Sequence, residues 1–419
     1  MIAQAACGMI SKTHATGLLL TLRRPPSWLF GPLSLPFGIF SNGFVAIVMP
    51  FVLRKQGVSV EQIAGIVALI SSANSYYFLW SPVVDIGPKR KIWFVLVSFL
   101  SAGLAGLAFL LPIPARLGWL TWLMFAASVI NLLASSAFGG LMTTTVPEEN
   151  RGAASGWYQC GNVGGGALGA ALLLWFAETH SVTGVALVLI LIVALPSLLA
   201  LLLNEPPHAK VAFSTKLRQM LREIWVTLKS PIGLTGLVFF AAPLNSGALM
   251  YLFSAVAVDF NAPGSVVTWV TGFGGGLITA VGSVFGGYLC NRFNRFYMYA
   301  LTGFVFAAVN LAMLVSPMTP ATYIWGSSLY LFLVGVSYAN FTTLVLDVIG
   351  RETTGAATRY SLFNAAGNFP IAYMTWFDGK GYALHGTKGM FSFDLAGNAV
   401  GGMITLLIYF LVFRKKPAV

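Results

Sequence analysis

Charge is what this chain has least of. Asp, Glu, Lys and Arg together make up 9% of its 419 residues, against roughly 25% in a soluble domain. With 57% hydrophobic residues, a water-soluble fold would expose large apolar patches. A soluble globular domain is therefore excluded, and lipid is the solvent. Acid is scarcer than base, 12 residues against 24 for a net charge of +12. The basic residues sit between hydrophobic runs rather than with aromatics on one face, so no nucleic-acid partner is expected. Cysteine is nearly missing. Cys7, Cys160 and Cys290 are far apart and form no CxxC spacing, which leaves neither a disulfide framework nor a metal site; they read as small apolar fillers. The four histidines, His14, His180, His208 and His385, fall in leader or loop positions. No GxSxG, HExxH or P-loop pattern occurs, and no polar segment is long enough for a soluble nucleotide-binding domain. No enzyme, no cofactor and no ATP-driven pump is expected.

What the chain has in abundance is long apolar runs. A bilayer-crossing helix needs about 20 mostly apolar residues in a row. Twelve segments qualify: 28–53, 62–84, 92–113, 117–143, 153–177, 181–203, 232–256, 266–290, 297–317, 321–347, 358–377 and 390–413. They are apolar all round, unlike the alternating strands of a barrel, so the fold class is all-α integral membrane. Residues 1–27 read as a cytoplasmic leader rather than a secretory signal, because Arg23 and Arg24 follow the short apolar run instead of preceding it. The longest polar stretch, Asn204 to Ser230, carries Lys210, Lys216, Arg218, Arg222 and Lys229. Leu217, Leu221 and Trp225 recur there every four residues, as in a helix lying on a membrane surface; a solvated basic linker is the alternative. With the N-terminus inside, the inner segments hold 19 of the 24 Lys and Arg residues and the outer segments 5. That asymmetry puts both termini and the central stretch in the cytoplasm.

The two sides of the central stretch echo each other. Ser41-Asn42-Gly43 in the first span returns as Asn245-Ser246-Gly247 in the seventh, 204 positions on. Ser81 to Arg90 after the second span is matched by Gly287 to Arg295 after the eighth. Gly152-Ala153-Ala154-Ser155 opens the fifth and Gly355-Ala356-Ala357-Thr358 the eleventh, 203 positions on. Three echoes at nearly one offset indicate a parallel duplication. The plan is a leader (1–27), a six-helix bundle (28–203), a basic linker (204–230), a second six-helix bundle (231–413) and a tail (414–419).

On these residues the chain resembles the major facilitator superfamily over 28–413. That family carries G-x-x-x-D-R-x-G-R-R after its second helix. The first copy here keeps Asp85, Lys89 and Arg90, with Ser81, Ile86 and Pro88 departing from the pattern; the second keeps Gly287, Arg292 and Arg295, with Asn291 in place of the aspartate. Within the superfamily, Gln56-Gly57-Val58-Ser59, Phe78 to Asp85, and Ala357 to Leu362 with Asn368 and Pro370 look like the branch of muropeptide permeases and acetyl-coenzyme-A transporters, which also holds siderophore permeases. The resemblance implies twelve transmembrane helices in two six-helix bundles, in a bacterial inner membrane. It further implies that Asp85, Lys89 and Arg90, with Arg151, Arg292, Arg295 and Arg359, form a cytoplasmic gate between the bundles.

Polar groups inside spans must face protein or water. Tyr360, Asn364 and Asn368 make one stripe at intervals of four. Asn340 lies on another with Thr343 and Asp347, and Asn74 and Tyr77 lie on the second span. Asn42, Asn131, Gln159, Asn162, Asn245 and Tyr251 complete the candidates. These residues either line a central substrate cavity or join helices within a bundle. Gly161, Gly165 and Gly169, and likewise Gly282 and Gly286, fit either sliding contacts between the bundles or ordinary close packing. Asp347 stands four residues before Arg351, as a helical ion pair would. Asp85, Asp347 and Asp394 are expected near helix ends and the other acids in loops, so proton coupling has no mid-membrane carboxylate to support it. No buried Lys or Arg suits a strongly anionic ligand. The expected function is secondary active transport, by alternating access, of a small or medium-sized amphiphile such as a muropeptide or siderophore. The expected partners are that solute, the lipid bilayer and H+ as the candidate coupling ion, and a monomer is the expected state. The alternatives are a carrier-fold sensor or scaffold and a lipid-translocating protein with a lateral opening.

Overall fold

A computed structural model describes residues 25–58, 60–180, 182–206, 231–349 and 356–413, with positions 218, 221, 222, 225 and 229 of the central stretch. The expectations for the leader, for Arg351, for the tail and for most of the basic linker lie outside the described residues. Among the described residues there is no β-strand, and nine helices are long and apolar enough to cross a membrane.

We number the principal helices in chain order: α1 Ser27–Leu53, α2 Val60–Ser72, α3 Arg90–Phe109, α4 Leu117–Thr145, α5 Glu148–Ala177, α6 Val182–Leu202, α7 Pro231–Phe240, α8 Gly264–Arg292, α9 Arg295–Val315 and α10 Pro320–Ile349. The helical run Ala356–Ile408 breaks at His385 and Gly386 (φ 62°) into α11 (356–384) and α12 (387–408). Only glycine adopts that left-handed conformation without a Cβ penalty, so a hairpin turn falls there.

Two expected spans, 62–84 and 232–256, are broken into short helical pieces, and α8 kinks at Gly272. After α2 the chain proceeds in short 3-10 turns, Ala73–Ser75, Tyr77–Leu79 and Ser81–Asp85. Ser72 begins this stretch with its hydroxyl on the Leu69 carbonyl and against Tyr76 Oη, 2.8 Å away; such bonds compete with the helical ladder. After α7, Pro243 can donate no hydrogen bond, and Asn245 (φ 57°) and Gly247 (φ 67°) turn left-handed before a 3-10 turn at Ala248–Tyr251.

Packing follows glycine. Gly161, Gly165 and Gly169 of α5 seat Gly31, Leu35 and Ile39 of α1, while Gly282 and Gly286 of α8 seat Phe332 and Val336 of α10. These glycines serve close packing within each half of the chain. Contact between the halves runs instead along α5 and α8, α5 and α10, and α4 and α11. The hydrophobic cores record the same geometry. At the end carrying Asp85 and Asp347, one core spans both halves, from Phe30, Phe94 and Phe138 to Phe240, Leu346 and Tyr360. Toward the opposite end there are two separate cores, one drawn from residues 39–194 and one from 249–391.

Candidate functional site

The surface where the halves meet is a polar seam sealed at one end by ions. Arg151, at the start of α5, places Nη1 2.9 Å from Asp347 Oδ1 on α10. Arg295, at the start of α9, reaches the same carboxylate at 2.5 Å and donates to the Glu148 carbonyl at 2.6 Å. One carboxylate thus holds a cation from each half. Beside it, Asn291 Oδ1 accepts the Ala153 N–H at 3.2 Å, meeting an amide left free where the 3-10 turn Glu148–Asn150 gives way to the α-helical part of α5 at Arg151. A second cluster surrounds Arg90, whose Nε donates to Asp85 Oδ1 at 2.7 Å. The Arg90 side chain lies against Gly140, where a Cβ would come within 2.7 Å of its Cδ. Glu205 accepts the N–H groups of Arg90 (3.0 Å) and Lys91 (3.2 Å) and so caps α3, where a carboxylate is favoured by the helix dipole. Lys91 Nζ in turn takes the terminal carbonyls of Leu201 and Leu203.

Deeper in the seam the links are neutral. The hydroxyls of Ser81 and Ser361 share a short hydrogen bond. Tyr360 lies on Gly139 of α4, where no side chain would fit. Asn364 Nδ2 donates to Tyr77 Oη at 2.9 Å. Gln159 Nε2 donates to Thr342 Oγ1 across the halves at 2.8 Å, Asn162 donates to Gln159 Oε1 at 3.0 Å, and Asn42 donates to Asn162 Oδ1 at 3.1 Å. Helices α5 and α8 cross antiparallel in a fixed register: Gly156 meets Ser283 and Gly287, Gly164 meets Ala280, and Ala167 meets Gly276. An apolar crevice of about 390 Å³ opens beside this seam between Phe78, Leu237 and Val238 of α7 with Ala241 just beyond it, and Leu362 to Phe369 of α11.

Of the candidate cavity residues, the seam gathers Asn42, Tyr77, Gln159, Asn162, Tyr360 and Asn364. Asn368 is half-buried on α11. Asn74 is half-buried and donates to the Ser71 carbonyl, and Tyr251 is exposed. Asn131 joins α4 to Pro36 and Ser101 within the first half. Asn340 takes the Cys290 thiol at 2.7 Å and donates to Thr302 within the second. Asn245 donates to the Tyr299 carbonyl at 2.8 Å and is held through its own N–H by Asn398. Of the candidate gate residues, Asp85, Arg90, Arg151 and Arg295 stand in the two ionic clusters, Arg359 is half-buried at the start of α11, and Lys89 and Arg292 are exposed.

Four features escaped the sequence reading. Glu205 was visible only as a helix stop. Asp347 pairs across space with Arg151 and Arg295, which spacing along one helix cannot reveal. Asp378 directly follows the apolar window 358–377, which places it in a loop by hydropathy; α11 runs on to 384 and buries it. Asp394, expected near a helix end, is also fully buried within α12 and accepts from Asn310 Nδ2 at 2.6 Å, Tyr330 Oη at 3.2 Å and Asn398 Nδ2 at 3.0 Å.

A profile of the Major Facilitator Superfamily matches residues 37–375. The anhydromuropeptide permease of Escherichia coli K12 is 24% identical over 360 residues, spanning 82% of this chain and 72% of that protein. Among solved structures, the E. coli fucose:proton symporter FucP superposes with a TM-score of 0.66 at 14% identity, over 91% of this chain and 98% of that one. The human organic anion transporter MFSD10 gives 0.65 at 16% identity, over 93% and 100%. A bacterial homologue of the iron transporter ferroportin, in an outward-facing state, gives 0.65 at 16%, over 92% and 98%.

Proposed function

The chain belongs to the Major Facilitator Superfamily, and we propose that it is a secondary active transporter that carries an amphiphilic solute of the muropeptide class across a bacterial inner membrane by alternating access. The observation that carries this reading is the asymmetry of the seam. A shared ion-pair lock and one continuous core join the halves at the end bearing Asp347, while the opposite end keeps two cores. Two six-helix bundles, 28–203 and 231–413, each of six crossings, rock about this seam. The termini and the basic linker face the cytoplasm, so the sealed end is the inner gate and this conformation opens outward. The carrier works as a monomer. Tyr77, Asn42, Gln159, Asn162, Tyr360, Asn364 and Asn368 bind the polar part of the solute, and the crevice beside Phe78 and Phe369 takes its apolar part.

The deciding experiment is counterflow in proteoliposomes, using a panel of anhydromuropeptides, siderophores and sugars, with and without a pH gradient. Uptake of labelled anhydromuropeptide against unlabelled solute is the expected result. Binding without counterflow under every gradient identifies a sensor instead. Transbilayer movement of phospholipid without movement of any water-soluble member identifies a lipid translocator.

A further inference from the structure

The hairpin of α11 and α12 hides a pair of acids that the seam does not use. The two helices touch through glycine: a Cβ added to Gly381 would lie 2.7 Å from the Gly389 carbonyl oxygen, and Met374 packs onto Gly397. This antiparallel register sets Asp378, between Met374 and Gly381, opposite Phe393 and Asp394. Both carboxylates have no exposed surface. At 1.5 Å per residue they lie about 10 Å in from the hairpin turn, inside a hydrocarbon layer about 30 Å thick.

The surroundings offer the pair acceptors but few donors. Asp394 Oδ2 is satisfied by Asn310, Tyr330 and Asn398. Both oxygens of Asp378, Oδ1 of Asp394 and Oδ1 of Asn310 are buried without any hydrogen-bond donor. Among the described residues neither carboxylate makes an ion pair. The hairpin's own cations point away: Lys380, His385 and Lys388 are exposed, with Lys380 over the Trp376 ring. Asp259, from the segment after α7, is exposed and takes the hydroxyls of Tyr382 and Thr387. Among the described residues, the titratable side chain that a neighbouring helix directs at the pair is Tyr330 of α10; α9 contributes Asn310, and Asn398 lies on α12 itself. Two adjacent carboxylates in a dry interior cannot both stay ionised without a cation, and a surplus of acceptors calls for a donor.

We propose that Asp378 and Asp394 form an intramembrane proton-binding site, in which one carboxyl, once protonated, donates its O–H to the other. Binding adds one proton and forms one O–H···O bond; release breaks that bond and returns the proton through the hairpin end. The site lies inside the second half, away from the solute seam, but the same two helices serve both. Helix α11 carries Asp378 with Tyr360 and Asn364, and α10 carries Tyr330 with Thr342 and Asp347. A change of packing at the acids therefore reaches the lock along α10, while Pro370 interrupts the ladder of α11 between Asp378 and Asn364. The coupling role rests on the transporter reading above, whereas the proton site itself does not.

The test is infrared difference spectroscopy of the full chain in nanodiscs, between acid and alkaline pH, in H2O and D2O. The expected result is a carboxylic-acid C=O band that shifts in D2O, is lost in both Asp378→Asn and Asp394→Asn, and persists in Asp378→Glu. Size-exclusion profiles identify any variant that has unfolded, and D378E keeps the test decisive if an Asn variant does. A wild-type spectrum without the band, or folded variants that retain it, overturns the site. A pair titrated by sodium chloride at fixed pH, with no such band, overturns the proton in favour of a metal cation. With the band assigned, loss of pH-driven anhydromuropeptide accumulation in D378N is expected. If no solute is carried at all, the transporter reading fails while the band still decides the site.

Discussion

Replacing Asp347 by Asn should release the sealed end of the seam. The substitution keeps the shape and one acceptor oxygen but removes the charge that Arg151 and Arg295 share. Breaking a buried ion pair leaves a stranded charge at a cost of about 3–5 kcal/mol. Arg151 is 3% exposed and so pays nearly in full, but Asp347 is 21% and Arg295 17% exposed, so water recovers part of the loss. An effect of about 2 kcal/mol remains, which is roughly 30-fold in the ratio of closed to open conformers. The chain supplies its own reporter. Cys290 is buried, and a Cβ on Gly152 of α5 would lie 2.8 Å from its Cβ, so the thiol is uncovered when α5 moves away. With Cys7 and Cys160 replaced by Ser, labelling of Cys290 by N-ethylmaleimide should proceed about 30-fold faster in D347N, because the rate follows the open population. Arg292→Ala, an exposed site, should leave the rate unchanged. A folded D347N protein that labels at the wild-type rate would refute the reasoning, since the carboxylate would then not hold the halves together.

Three further outcomes are expected. Gly156→Ala places a Cβ 2.6 Å from the Ser283 carbonyl oxygen; overpacking of about 1–3 kcal/mol falls on the closed state alone and accelerates Cys290 labelling, whereas Gly103→Ala, with open space around it, does not. Tyr77→Phe strands the Asn364 amide that now donates at 2.9 Å, and a loss of about 1 kcal/mol should raise the half-saturating anhydromuropeptide concentration in counterflow by roughly fivefold. Asn245→Ala should lower thermal stability more than Asn245→Gly: both lose the bond to Tyr299, but only Ala suffers the left-handed backbone at φ 57°, by about 1–2 kcal/mol.

The membrane class and the family were legible because they depend on local quantities: charge density, run length and the residues after the second and eighth spans. Helix interruption was less legible. The run 232–256 is mostly apolar, yet Pro243, Asn245 and Gly247 break it, because three backbone-specific residues in five outweigh hydropathy. The glycine repeats had the right spacing for close approach, but periodicity does not name the partner. Gly161, Gly165 and Gly169 turned out to face α1, and the contact between halves fell to Gly156, Gly164, Gly276 and Gly287. Asp378 was hidden by a boundary. An apolar window stops at the first acid, and a fully buried acid is the residue such a window cannot include.

The altered motif copies acquire a physical sense from the lock. In the first copy Asp85 is kept and neutralises Arg90 locally, with Glu205 close by. In the second copy Asn291 stands where that carboxylate would be, so Arg295 has no counterion at the corresponding position. Asn291 is free to accept the Ala153 amide at the start of α5, and Arg295 turns to Asp347 on α10, where it meets Arg151 from the other half. Losing the aspartate therefore moves the neutralising charge from within one half to the boundary between them. Restoring it by Asn291→Asp would place a second carboxylate beside Arg295 and offer that arginine a local partner. The shared carboxylate would then keep Arg151 alone, and Cys290 labelling should rise above wild type but stay below D347N. An N291D protein that labels more slowly than wild type would mean that the added charge strengthens the closure, and that the substitution in the second copy is not what placed the lock on the seam.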